Sequence, residues 1–252
     1  MKILFTICGR AGSKGIHNKN IRLFCKKFLP YYSLSAIDLY IKEYEKAGDS
    51  YDVVLSTDSS ELIGIVKNNP FIPINIINRS DELCGDVVAK KDVILDCLIQ
   101  MEQIKKCAYD LVVDLDITSP LRTKQDVDKL IDKHIKTGAD ITYSVTTARR
   151  NPYFNQVMLG RQGYRKVCTA DFTARQQAPV IYDMNASLYA YKPGHLKKGG
   201  DFNNGYFEII EMYDTAVLDL DNENDFELMQ VIAEYLFEKK KSFGEVYNNI
   251  PD

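Results

Sequence analysis

Twelve residues near the N-terminus, GRAGSKGIHNKN at 9–20, combine three glycines with Arg10, Lys14, Lys19 and His17. They directly follow an apolar run, KILFTIC at 2–8. Glycines let the backbone approach phosphate oxygens, and successive N–H groups in a turn form a nest for anions. Arginine adds a forked donor and lysine a point charge. The spacing is not that of a P-loop, because Gly15 follows Lys14 instead of preceding it. It is not a dinucleotide fingerprint either, since the glycines stand at 9, 12 and 15. Late in the chain, AVLDLD at 216–221 carries Asp219 and Asp221. Two residues apart on a strand, they point the same way and can share one metal. Carboxylates suit Mg2+, with waters and phosphate oxygens completing its octahedron. A cationic glycine loop and paired carboxylates together suit a nucleoside triphosphate with magnesium.

The elements that must position these groups follow from periodicity. Residues 2–8, 51–58, 72–79, 109–116 and 140–147 read as short apolar strands, the pattern of a buried parallel sheet. Helical spacing runs through 31–46, 60–69, 90–106 and 123–137. Strands alternating with helices predict an α/β fold, a Rossmann-like doubly wound, mostly parallel sheet. Ligands of such sheets bind beyond the carboxyl ends of the strands. Those ends carry the glycine loop, Ser56-Thr57-Asp58, Arg79 with SDELCGD, Asp114 and Asp116 before ITSPLR, and Asp219 with Asp221. After residue 148 the rhythm changes. Gly160 and Gly163 signal a hairpin, and 148–185 reads as an aromatic-rich excursion within a single domain spanning 1–252. Strands follow at 185–193 and 205–212, then a C-terminal helix from Asn222 to about Lys241.

Composition narrows the class. The chain has 252 residues, 45% of them hydrophobic and 27% charged, with a net charge of −3. That is an ordinary globular balance, long enough for a sizeable core without metal or disulfide staples. The acidic balance argues against a general nucleic-acid binder. Six cysteines stand at 8, 25, 84, 97, 107 and 168, with no C-x-x-C pair and no zinc spacing. They read as small side chains in a reducing compartment. No run approaches the roughly 20 apolar residues that span a bilayer. The apolar start is too short for a signal peptide, so the expected location is cytoplasmic. Histidines 17, 134 and 195 form no catalytic set and are expected to be dispensable.

On five motifs in order, the chain resembles the CMP-nonulosonate synthetases, or acylneuraminate cytidylyltransferases. The first, approximately A-R-x-x-S-K-G-x-x-x-K-N, stands as Gly9 to Asn20, with only the leading alanine changed. R-x-x-E-L-x-x-D stands as Arg79 to Asp86, and T-S-P-L-R as Thr118 to Arg122. R-Q-x-x-P stands as Arg175 to Pro179, and the final D-x-D as Asp219 to Asp221. Two departures distinguish it from the sialic-acid enzymes. Asp116 stands where those have a sugar-contacting Gln, and Asp183 where an Arg precedes Pro-Asn-Gly. NPYFNQV, RQQAPVIYDMNAS and GDVVAKKDVI resemble synthases of CMP-legionaminic acid.

The resemblance implies the fold of nucleotide-diphospho-sugar transferases and a reaction between CTP and a nine-carbon 2-keto sugar acid. The sugar's anomeric hydroxyl attacks the α-phosphorus in line, and pyrophosphate leaves. It implies that Arg10 and Lys14 hold phosphates, and that Ser13 and Gly15 shape the loop and offer N–H groups. Lys19, Asn20, Arg79 and Asp86 lie near the nucleoside or order the loop. Lys19 and Asn20 are expected to face the nucleotide, with His17 and Asn18 turning the chain. Asp219 and Asp221 hold Mg2+, with Mn2+ as a substitute. Asp116, Arg175, Gln176 and Asn185 stand on the sugar side, Arg175 alternatively pairing with Asp171 or Asp183. A homodimer is implied, with 148–185 crossing to the partner or covering the substrate. Sialic, pseudaminic and eight-carbon acids stay open as substrates. So do two other classes: a glycosyltransferase with its D-x-D at Asp114 and Asp116, and a nucleotide binder without turnover.

Overall fold

The computed structural model describes residues 1–12, 15–44, 48–85, 88–214 and 220–251. The opening apolar run forms β1 (Lys2–Cys8), with its five inner residues buried. After the glycine loop come a two-residue ladder, β2 (Leu23–Phe24) with β3 (Lys27–Phe28), and α1 (Leu29–Tyr44). Then follow β4 (Ser50–Thr57), α2 (Ser60–Lys67), β5 (Asn75–Asn78), α3 (Lys90–Lys105), β6 (Leu111–Leu115), α4 (Lys124–Thr137) and β7 (Ile141–Thr147). The excursion holds the hairpin β8 (Val157–Gly160) and β9 (Gly163–Lys166). The chain ends with β10 (Tyr182–Tyr191), α5 (Pro193–Lys197), β11 (Phe207–Glu211), α6 (Glu223–Lys239) and α7 (Lys241–Asn248).

Seven strands form one sheet in the order β11-β7-β10-β6-β1-β4-β5. β10 runs antiparallel to both neighbours, and the remaining pairs are parallel. Both faces are covered, which is why the parallel strands are apolar almost throughout. Successive β1 side chains alternate between the two layers. Ile3, Phe5 and Ile7 pack with α1, α4 and α6, through residues such as Leu34, Leu130 and Met229. Leu4 packs with Ile94, Leu98 and Met101 of α3. The helix starts are set locally. Thr123 and Asp126 form a capping box on α4, and Asn222 and Asp225 form another on α6.

Several sequence expectations shift. The third strand is shorter than 72–79, and residues 241–248 form a separate helix behind a break at Lys240. The strand near 185 begins at Tyr182, inside the expected excursion, and its reversed direction was not legible from its apolar pattern. A bulge between Met184 and Tyr189, with Ala186 at φ 51°, bends it into place. Residues 215–219 lie outside the described residues, and so does the strand expected there. All six cysteines are free thiols. His134 is buried, its Nδ1 3.0 Å from the Thr142 hydroxyl, and burial pushes its pKa down to about 4.

Candidate active site

The parallel strands deliver their carboxyl ends to one edge, and β10 starts at that edge. There a cavity of about 390 Å3 opens. Cys8, Gly9, Arg10, Gly15, Lys19 and Asn20 line one wall. Arg79, Leu83, Gly85 and Val88 line a second, and Lys90, Asp116 and Thr118 a third. Asp221 borders the same space.

The glycine loop is shaped by backbone bonds and close approaches. Gly9 N–H donates to the Ser56 carbonyl at 3.1 Å, and Ala11 N–H to Asp58 Oδ1 at 2.7 Å. Asn20 Nδ2 donates to the Arg10 carbonyl at 3.0 Å. Asn18, left-handed at φ 53°, opens the 3-10 turn Lys19–Ile21, while His17 is exposed. The tightest contact is at Gly15. A Cβ there would lie 1.9 Å from the Asp221 carbonyl oxygen. Lys19 Nζ donates to the neighbouring Leu220 carbonyl. The first loop is thus closed directly onto the segment that carries Asp221.

Arg79 is buried behind the cavity. Its guanidinium donates to the Ser56 carbonyl at 2.9 Å and to the Ser56 hydroxyl at 3.3 Å, tying the end of β5 to β4. Lys19 and Asn20 reach the cavity as expected of them. Arg175 and Gln176 sit on an exposed 3-10 turn of the excursion, away from the cavity lining. Among the described residues, no ion pair joins Arg175 to Asp171 or Asp183. Asn185 is buried in the β10 bulge, where its Oδ1 accepts from the Ser144 hydroxyl at 2.5 Å. Ser13, Lys14, Asp86 and Asp219 lie outside the described residues.

Sequence reasoning passed over Lys90. Its ammonium donates to Asp116 Oδ2 at 2.6 Å and lies 2.7 Å from Asp114 Oδ2. The latter is an ion pair without hydrogen-bond direction. Asp114 is fully buried, and its Oδ1 accepts from the Thr6 hydroxyl at 2.8 Å. Asp116 Oδ1 accepts from the N–H and hydroxyl of Thr118, at 2.8 and 2.7 Å. The buried Arg122 donates to the carbonyls of Asp116 and Ser119, fixing the turn beneath them. Burial alone would raise the Asp116 pKa. The Lys90 charge and the hydrogen bonds from Lys90 and Thr118 outweigh it and hold it at about 2. Burial likewise disfavours the charged Lys90, but Asp114 and Asp116 hold its pKa well above the usual value. A sequence signal existed. Lysine at the first position of a helix opposes the macrodipole, so Lys90 needs another partner. That same ammonium occupies the space between the D-x-D carboxylates at the end of β6, Asp114 and Asp116.

Comparison with known proteins decides the class. Residues 4–245 match the sequence model of the family described as Cytidylyltransferase. The chain belongs to the cytidylyltransferase family. It is a nucleotidyltransferase. It is 33% identical over 240 residues to "Post-translational flagellin modification protein B" of Campylobacter coli, covering 95% of this chain and 96% of that one. It is 32% identical over 231 residues to "CMP-N,N'-diacetyllegionaminic acid synthase" of Campylobacter jejuni, covering 92% and 94%. Among solved structures, a CMP:2-keto-3-deoxy-manno-octonic acid synthetase complexed with CTP superposes with a TM-score of 0.65 over 93% of this chain and 99% of that one. At 12% identity, that likeness establishes the shared fold.

Two expectations follow. Gly15→Ala forces the loop off the Asp221 carbonyl, so kcat/KM should fall about 100-fold, the scale of an ångström-sized misplacement. Thermal unfolding should change little, and an unaltered kcat/KM contradicts the contact. Asp116 has a depressed folded pKa, so its stabilisation is full above about pH 4 and is lost as pH falls towards about 2. Asp116→Asn should cost about 2 kcal/mol at neutral pH and flatten that part of the acid limb in urea titrations. An unchanged limb would show that Asp116 is not held by Lys90.

Proposed function

We propose that this protein transfers the cytidylyl group of CTP to a nine-carbon 2-keto sugar acid, legionaminic acid or a derivative. The supporting observation is the single cavity that joins a cationic glycine loop, Asp221 and the polar wall at Asp116. The sugar assignment draws on the relatives named for N,N'-diacetyllegionaminic acid. A further relative, at 25% identity, is named for pseudaminic acid.

In this reading the anomeric oxygen attacks the α-phosphorus, a new P–O bond forms, and the bond to the β-phosphate oxygen breaks. Pyrophosphate leaves with the electron pair. Catalysis is mainly positioning and charge stabilisation. Arg10 and Lys19 meet the phosphate charge from the glycine loop, and Lys14 of the same motif adds a third cation. Gly15 keeps backbone close to it, and Asn20 holds the Arg10 carbonyl. Arg79 and Asp86 belong to the nucleoside side. Asp116 faces the sugar acid; Arg175 and Gln176 would reach it only with the excursion folded over the cavity, and Asn185 shapes the β10 bulge beside it.

The donor set fits a magnesium ion. Among the described residues no three metal-binding side chains cluster. Mg2+ needs only one or two carboxylates when substrate phosphates and waters complete its shell. Asp221, at the cavity beside Arg10, meets that need together with Asp219, and Mn2+ would substitute. Bound there, the ion would neutralise phosphate charge and acidify the attacking hydroxyl.

We propose a homodimer through 148–185. Val157, Leu159 and Tyr164 on the hairpin are 65%, 69% and 78% exposed, apolar surface that a second copy would cover. A cytoplasmic place of action, where CTP is available, belongs to this proposal. No helix among the described residues is long and apolar enough to cross a membrane.

Pyrophosphate release with CTP, Mg2+ and a panel of legionaminic, sialic, pseudaminic and eight-carbon acids tests the function. Legionaminic-type acids should give the highest kcat/KM, and Arg10→Ala should lower kcat about 100-fold or more. No pyrophosphate with any acid at saturation would overturn the reading. Sedimentation at micromolar concentration should give twice the chain mass; a stable monomer overturns the dimer.

A further inference from the structure

We propose that Lys90 and Asp116 form a specificity-determining pair that reads an uncharged polar group of the sugar acid, a hydroxyl or an acylamido group, and not its carboxylate. This rests on the reading of the cavity as a sugar-acid and CTP site.

The pair is rigid. Lys90 is anchored by Asp114 and Asp116 at 2.7 and 2.6 Å. Asp114 is in turn held by Thr6 of the central strand, and Asp116 by Thr118. Asp116 N–H donates to the Ser187 carbonyl at 3.1 Å, which staples it to β10, the strand emerging from the excursion. The pair therefore stands beside β10, the strand that emerges from the excursion.

The pair is also only partly used. The Lys90 ammonium, with three N–H groups, is shared between Asp116 at 2.6 Å and Asp114 at 2.7 Å. The Cys8 thiol and the Tyr189 ring, 5.9 Å from Nζ and at the outer limit of a cation–π contact, are also near it. The side chain lines the cavity and is 33% exposed. Among the described residues, Asp116 Oδ2 accepts only from Lys90. Among the described residues, the ammonium thus keeps an N–H to give, beside an Asp116 oxygen that can still accept.

Charge decides what fits. Two carboxylates and one ammonium sum to −1. A ligand carboxylate, which has only acceptors, would bring one oxygen towards Asp116 and be repelled by it. A hydroxyl or an amide presents a donor and an acceptor together and carries no charge. Such a site discriminates strongly against an analogue lacking the matched group, because its own buried polar atoms are then left unpaired.

The double variant Lys90→Met/Asp116→Asn tests this by removing the pair's donor and its charged acceptor together. Kinetics are measured with the preferred acid and with its deoxy and de-acylated analogues. The wild-type protein should prefer the parent acid over the analogue lacking the read group by at least about tenfold. The variant should lose that preference, with a raised KM for the acid and a KM for CTP within about threefold of wild type. If the double variant fails to fold, Lys90→Arg keeps the charge but moves the donor, and the same ratio is read. An unaltered ratio overturns the inference. So does a raised KM for CTP with an unaltered KM for the acid, which would place the pair on the nucleotide. No turnover by the wild-type protein removes the functional reading and this inference together; turnover with unaltered ratios removes the inference alone.

Discussion

Backbone meets backbone where residue 15 has no side chain. A Cβ at Gly15 would sit 1.9 Å from the Asp221 carbonyl, so only glycine permits the approach. This contact joins the loop after the first strand to a segment some two hundred residues later. Lys19 reinforces it by binding the Leu220 carbonyl. The cavity exists because these distant pieces close on each other: one brings cations and N–H groups, the other a carboxylate. The capping box at Asn222 starts α6 immediately behind Asp221, so the contact seats the loop against the start of that helix.

The second constraint is buried charge at the centre of the sheet. Burying a carboxylate such as Asp114 is costly unless it is paired and hydrogen-bonded. Thr6 and Lys90 meet that cost from two elements, β1 and α3. Buried ion pairs are weak evidence of stability in themselves. Here the arrangement holds fixed donors and acceptors at the carboxyl edge, where an open α/β sheet places its ligand. The ammonium between Asp114 and Asp116 also separates this site from a D-x-D metal site built on the same two residues.

Much of the fold was legible in the sequence. β1, β4 and β6 are covered on both faces, so their apolar runs are nearly unbroken and mark parallel strands. Helical spacing over 123–137 matched α4, and Gly160 with Gly163 announced the hairpin. The reversal of β10 was not legible, because an apolar alternation carries no direction. That reversal brings the Asn185 region to the functional edge, yet Asn185 itself spends its amide on the bulge. Within the site, Arg10, Gly15, Lys19, Asn20, Arg79, Asp116 and Asp221 converge on one cavity, because each follows a strand or faces the loop that does. Lys90 escaped notice since its role depends on carboxylates 24 and 26 residues away, a pairing that spacing along the chain does not encode.

The central claim is that this edge brings a sugar acid's anomeric oxygen onto the α-phosphorus of CTP. Isotopic labelling tests it most directly. With 18O in the anomeric hydroxyl of the accepted acid, the account predicts that the label stays in the oxygen bridging carbon and phosphorus of the CMP product. Label that is instead absent from that bridge would mean that the sugar's carbon–oxygen bond breaks and that the cavity performs a different reaction.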